Sequence, residues 1–179
     1  MFTTDDKQNP RFMKPVVQQS FSFILPFTVL VIIPILIEHT WTFSRVLVSV
    51  TGGLLGLIGI GILVISVSTI VRIGEGTLAP WNPARRLVTT GIYSHVRNPM
   101  ITGVLICLLA EAMIFGSNRI LTLLIVFFLV NHIYFIFIEE PGLLKKFGKE
   151  YLEYKNNVPR WIPRWKPWTP FVSQGRDLS

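Results

Sequence analysis

From Val46 to Val71 the chain runs 26 residues without an Asp, Glu, Lys or Arg. At about 1.5 Å per residue, ~20 residues of helix cross the ~30 Å hydrocarbon layer of a bilayer. Inside that layer every backbone N–H and C=O must be satisfied within the protein, which leaves helices and closed barrels as the only spanning structures. The stretch therefore reads as a transmembrane helix. Three more apolar blocks accompany it, residues 16–37, 100–116 and 120–138. The first and last are long enough to cross and the third only just. The expected fold is an all-α integral membrane protein, a single membrane domain over residues 1–179 with about four transmembrane helices.

Composition agrees with this. The chain is 50% hydrophobic and 15% charged, against about a quarter charged in an ordinary soluble domain. One cysteine, Cys107, excludes an internal disulfide framework and any cysteine-cluster metal site, so no metal is expected. The first apolar block follows a mixed-charge segment and ends at Glu38-His39 rather than at a small-residue cleavage site, so it is expected to be retained as a span.

The surplus of basic residues, +7 in net charge, gives the orientation. Three lie before the first block, four in the connection 72–99 and eight after Ile138, while Arg45 and Arg119 stand alone on the other side. The positive-inside rule then puts both termini and the 72–99 connection in the cytoplasm. The expected location is the cytoplasmic membrane of a bacterium or archaeon, with the chemistry facing the cytoplasm. Anionic lipid accounts for the basic charge, and no nucleic-acid-binding motif is present.

Gly52 and Gly56 in the second block have the small-xxx-small spacing that lets helix backbones approach closely, either within the chain or across a homodimer seam. Pro26 and Pro34 predict a kink in the first helix.

Two cytoplasmic segments carry the groups capable of chemistry, 72–99 and 139–168. In the first, Arg85, Arg86 and Arg97 suit an anionic group and Trp81 and Tyr93 suit a planar ring, although each also fits an interfacial anchor. Asn98-Pro99 reads as the entry to the third helix. The fourth helix is expected to end at Glu139-Glu140-Pro141-Gly142. An acidic pair at a helix C-terminus opposes the macrodipole, so it should meet a cation or hydrogen-bond donors. His132, seven residues before Glu139 and on nearly the same face, is a candidate pocket residue together with Asn131 and Glu111, or else a satisfied interhelical hydrogen-bonder. Leu143, Leu144, Phe147, Tyr151 and Tyr154 recur at helical spacing and predict a C-terminal amphipathic helix lying on the membrane surface.

The string LVTTGIYSHVRNPM over residues 87–100, then Glu139-Glu140, FGKEYLEY over 147–154 and VPRWIP over 158–163, resembles the isoprenylcysteine carboxyl methyltransferase family, related to the phospholipid N-methyltransferases. The resemblance implies an S-adenosyl-L-methionine-dependent membrane methyltransferase. Its cofactor would be held between the two cytoplasmic segments, and its acceptor, a lipophilic or lipid-embedded small molecule, would enter laterally between helices. It places cofactor contacts on Arg85, Arg86, Leu87, Val88, Tyr93, Arg97, Asn98, Pro99, Met100, Ile101, Glu139 and Glu140; the candidate catalytic residues are Glu139, Arg97 and, by its depth and face alone, His132. Three positions depart from the family's pattern. Asn98 stands where His is common, Ile101 where Tyr is frequent, and Phe135 where the prenylcysteine enzymes have an arginine for the substrate carboxylate. His132, one turn before Phe135, is a candidate to orient or deprotonate the acceptor. The alternatives are an NADPH-dependent ene reductase of the sterol-reductase type and a non-catalytic membrane protein of the same fold.

Overall fold

The computed structural model describes residues 26–73 and 86–170, and these form helices joined by short turns, with no strand among them. Helix α1 spans Thr28–Ile37 and α2 Val46–Ile73. A 3-10 turn, Gly91–Ser94, leads into α3 (Pro99–Phe115), which is followed by α4 (Asn118–Tyr134). A π-helical turn, Phe135–Glu139, joins α4 without a break to α5 (Glu140–Asn157). Residues 16–25 of the first apolar block and Arg85 lie outside the described residues.

Two helices, α2 and the long helix that begins with α4, are apolar and long enough to cross a membrane, while α1 and α3 are shorter apolar helices. Their outward residues match that role. Leu47, Leu54, Leu57 and Val64 of α2 are exposed, as are Ile125, Leu129 and Ile133 of α4 and Phe137 just beyond it. A contiguous apolar surface of this kind is suited to lipid chains rather than to water.

Gly52, Gly56 and Gly59 of α2 face α3. A Cβ on Gly59 would stand 2.6 Å from Cys107 Sγ and 3.1 Å from the Gly103 carbonyl, and one on Gly103 would stand 3.0 Å from the Gly59 carbonyl. Only glycine at both positions allows α2 and α3 to touch backbone to backbone. Gly52, which a Cβ would press against Ile114 and Ala110, belongs to the same seam. Of the two expectations for this glycine spacing, close packing within the chain is the one seen at Gly52 and Gly59. The buried core beside it joins Val104, Leu108 and Ala112 of α3 to Val29 of α1 and Ile120 of α4.

Where the sequence predicts a kink in the first helix, the chain makes a π turn, Thr28–Ile32, closed by the Ile33 N–H on the Thr28 carbonyl. The second π turn is closed in the same way by Glu140 N–H on Phe135. Each ends two residues before a proline, Pro34 or Pro141. A proline ring collides with the carbonyl four residues back, and one extra residue in the turn moves that carbonyl aside.

This corrects the expected end of the fourth helix. Pro141 follows directly on the π turn, and the helix continues past it to Asn157. Glu140 then lies inside a continuous helix rather than at its C-terminal end, so it does not oppose the macrodipole there.

The amphipathic helix also differs from expectation. Its apolar residues Leu143, Phe147, Tyr151 and Tyr154 pack on Leu87, Val158 and Trp168, so that face is covered by protein rather than by lipid. Gly148 (φ 55°, ψ −124°) bends α5 halfway, in backbone space that side chains other than glycine avoid.

At the opposite end of the helices, Glu38 is buried just after α1. It accepts hydrogen bonds from Ser117 Oγ, from Thr40 N at 3.1 Å and Thr40 Oγ1 at 3.0 Å, and pairs with Arg119 at 3.3 Å. The Ser117 and Thr40 bonds, with Arg119, hold its carboxyl down at about 2. This cluster ties the end of α1 to the α3–α4 turn.

Candidate functional site

The short segment 93–97 is laid against the C-terminal stretch 154–168 by a row of hydrogen bonds. Tyr154 Oη donates to the Tyr93 carbonyl at 2.7 Å, Trp168 N to the Ser94 carbonyl at 3.0 Å, and Arg164 N to the His95 carbonyl at 3.0 Å. Arg97 N donates to the Pro159 carbonyl at 2.9 Å, and His95 Nδ1 lies 2.8 Å from the Arg164 carbonyl. Because backbone groups make most of these contacts, the Pro/Trp/Arg run needs no helix to be fixed in place. The described residues 93–97 of the first chemical segment and 154–168 of the second are therefore joined.

At its centre is Glu140, with a side chain only 7% exposed. One carboxylate oxygen accepts from Arg97 Nη1 at 2.9 Å and from Arg160 Nε at 2.8 Å, while the other meets Lys155 Nζ at 2.8 Å. Burial alone would raise this carboxyl, but Lys155, Arg160 and Arg97 outweigh it and hold it below the usual carboxylate range. The cation expected opposite the acidic pair is thus three cations, all on Glu140.

Glu139 differs. It is the first residue beyond the apolar span, half-buried, and no ion pair or hydrogen bond reaches it among the described residues. Burial and then the neighbouring charge of Glu140 push its carboxyl up to about 7, against a smaller opposing pull from Arg97. Two adjacent carboxylates in different surroundings therefore have different characters, one held in its charged form by three cations, the other near its titration point at neutral pH.

Arg97 links them. Besides Glu140, its Nη1 reaches Tyr151 Oη at 3.4 Å, while its Nε is buried with no hydrogen-bond partner among the described residues. Tyr93 is buried beside this group. Burial, with the charges of Tyr154 and Glu139, raises its hydroxyl well above the usual range, so it stays protonated. Burial and Glu140 push the Tyr151 hydroxyl up to about 12.

The remaining predicted residues fall around this core. Leu87 packs on Tyr151, Tyr154 and Val158, and Val88 is buried next to it. Arg86 is exposed at the start of the described stretch. Asn98 caps α3 through its carbonyl, which takes both the N–H and the hydroxyl of Thr102, and Pro99 is buried at the first helical position. Met100 and Ile101 are half-buried in the same turn.

His132 lies in an aromatic cluster. It stacks on Phe128 at 5.6 Å, and its Nδ1 accepts from Trp161 Nε1 at 3.0 Å. Trp161 follows Arg160, so adjacent residues of the C-terminal stretch grip His132 and Glu140. Lys155, Arg160 and Trp161 escape the sequence reading as site residues. The signal for the two cations is the acidic pair itself, since a buried carboxylate needs positive partners and these are the nearest basic residues downstream.

The model of the phospholipid methyltransferase family matches residues 47–150, more than half of the chain. A protein-S-isoprenylcysteine O-methyltransferase of the fission yeast Schizosaccharomyces pombe is 41% identical over 85 residues. That match covers 46% of this chain and 35% of the yeast protein, so the chain spans about a third of its relative's length. The family model's match takes in segment 93–97 and ends before the stretch 154–168.

Proposed function

The chain belongs to the phospholipid methyltransferase family, and on that premise we propose that it is an S-adenosyl-L-methionine-dependent membrane methyltransferase of the isoprenylcysteine type, acting on a lipophilic acceptor. Four helices cross the membrane in this reading, with both termini and the joined segments on the cytoplasmic side where the basic residues concentrate. The acceptor, already dissolved in the bilayer, enters between helices.

The observation that carries the reading is the burial, between segments 93–97 and 154–168, of a guanidinium with one donor unspent beside a carboxyl near its titration point. A cofactor with a carboxylate and cationic groups is complementary to that pair. Arg97 supplies an N–H for the carboxylate, Glu139 a negative charge for the ammonium or sulfonium, and buried Tyr93 and Leu87 an apolar wall for the adenine. When bound, the cofactor supplies a methyl group already activated by its sulfonium. The protein's own task is to align acceptor and methyl group and to keep water out. The backbone bonds from Tyr93 to Trp168 perform the second part by closing the C-terminal stretch over the site.

The test is to incubate membranes containing the protein with methyl-labelled S-adenosyl-L-methionine and to find the label in the lipid, small-molecule or protein fraction. Label in a lipophilic product that disappears in Glu139→Gln supports the reading. Label no higher than in that variant, across lipid and prenylcysteine acceptors, favours a non-catalytic binding role. Arg97→Lys keeps the charge but loses Nε and the planar fork, and should weaken cofactor binding by roughly tenfold.

A further inference from the structure

The hydrogen bond between Trp161 and His132 fixes more than position. An indole N–H can only donate, so His132 Nδ1, 3.0 Å away, must hold a lone pair. The ring proton is then on Nε2, the nitrogen left for anything else. Packing supports the same arrangement, with Trp161 lying against Phe128 at 5.2 Å and Phe135 at 5.6 Å, and His132 stacking on Phe128. Phe135 thus helps to seat the indole.

We propose that Trp161 is a positioning residue that holds His132 in the Nε2–H tautomer, so that His132 serves the acceptor as a hydrogen-bond donor and not as a base. This rests on the proposed methyl transfer. It departs from a general-base role for His132, because a nitrogen that already carries the proton cannot take one. The chemistry is balanced without a base if the acceptor arrives as an oxygen anion. The C–O bond forms, the sulfonium C–S bond breaks, its electron pair stays on sulfur, and no proton is left over. One neutral N–H then orients the anion. Trp161 brings the further property that His132 is correctly set only when the C-terminal stretch is closed, since Arg160, its neighbour, is bound to Glu140.

The experiment uses the full chain in detergent micelles, labelled with ¹⁵N-histidine. The protein has three histidines, and ¹⁵N shifts separate protonated from bare ring nitrogens. His95 provides an internal reference of opposite sense, because its Nδ1 faces a carbonyl oxygen and must carry a proton. His132→Gln identifies the His132 signals by removing them. A bare Nδ1 and protonated Nε2 at His132, becoming a mixture of both forms in Trp161→Phe, are expected. A protonated Nδ1 in the wild type, or a tautomer unchanged by Trp161→Phe, overturns the proposal.

Kinetics with an N-acetyl-S-prenylcysteine acceptor supply a second readout. His132→Ala should raise the acceptor KM by roughly tenfold, as for one lost hydrogen bond to a charged group, and His132→Gln, which offers an N–H but no base, should recover part of that loss. Equal loss in both variants would mean that a proton is being removed, and overturns the donor role. A wild type with the expected tautomer and no transfer to any acceptor would overturn the proposed function and the donor role together, whereas a wrong tautomer in an active enzyme sinks this inference alone.

Discussion

Arg97 Nη1 stands 2.9 Å from Glu140 Oε1, joining the turn before α3 to the start of α5 across 43 residues of sequence. Through that contact, a helix end, a turn and the C-terminal stretch converge on one carboxylate, and the consequences can be measured.

Glu140→Ala should be among the most damaging single changes outside the lipid-facing surface. It removes the common partner of Arg97, Lys155 and Arg160 and leaves Arg97 buried without its anion. Breaking a buried pair from one side costs ~3 kcal/mol or more. Thermal unfolding of the purified protein in detergent should show the loss, and Glu140→Asp should recover only part of it because the shorter side chain cannot span all three cations.

Glu139 makes stability depend on pH in the opposite sense from most carboxylates. Its folded value, about 7, lies above the ordinary 4.5, so the folded state holds this proton more tightly than the unfolded one. The contribution is fully present below pH 4.5 and is lost as pH rises through 7. Glu140, shifted down, behaves conversely and loses its contribution on acidification. Melting temperatures measured from pH 5 to 8 should therefore fall more steeply in the wild type than in Glu139→Gln.

Gly59→Ala and Gly103→Ala should each destabilise by about 1–3 kcal/mol, because the new methyl meets backbone atoms at 3.0–3.1 Å that cannot move independently. Gly53→Ala and Gly61→Ala, where a Cβ meets nothing within 4 Å, should be neutral or slightly stabilising. Equal losses in all four would show that α2 and α3 do not meet through the Gly59 face. Unfolding in mixed micelles compares them directly.

Tyr154→Phe deletes the 2.7 Å bond to the Tyr93 carbonyl and leaves that carbonyl buried without it. A loss of about 1–2 kcal/mol follows. Because the same bond closes the C-terminal stretch over the site, amide hydrogen exchange at residues 93–97 should accelerate, with the helical amides of α2 unaffected.

The apolar blocks were readable because a spanning helix is dictated by a count of residues, and α2, α3 and α4 emerge within a few positions of the expected 46–71, 100–116 and 120–138. The nearness of the two polar segments was also legible, through the motifs they share with a known family. The continuation past Pro141 was not, because a π turn depends on how a single carbonyl clears a ring, and no composition or periodicity records that. Glu38 escaped for a related reason. A carboxylate at a helix end looks solvated until the α3–α4 turn brings Ser117 to it, beside the local bonds from Thr40. The apolar face of α5 was correctly seen as a face, but hydrophobic spacing does not distinguish lipid from Leu87 and Trp168 as its cover.

The π turn before Pro141 also makes the chain a gauge of length. One surplus residue turns everything after it by about 100° about the helix axis. It is this phase that delivers Glu140 to Arg97, with Glu139 left beside it. A deletion of one residue anywhere from Phe135 to Glu139 would preserve every side chain of the C-terminal stretch yet rotate the stretch away from segment 93–97. Such a change should disable the site more completely than most substitutions within it.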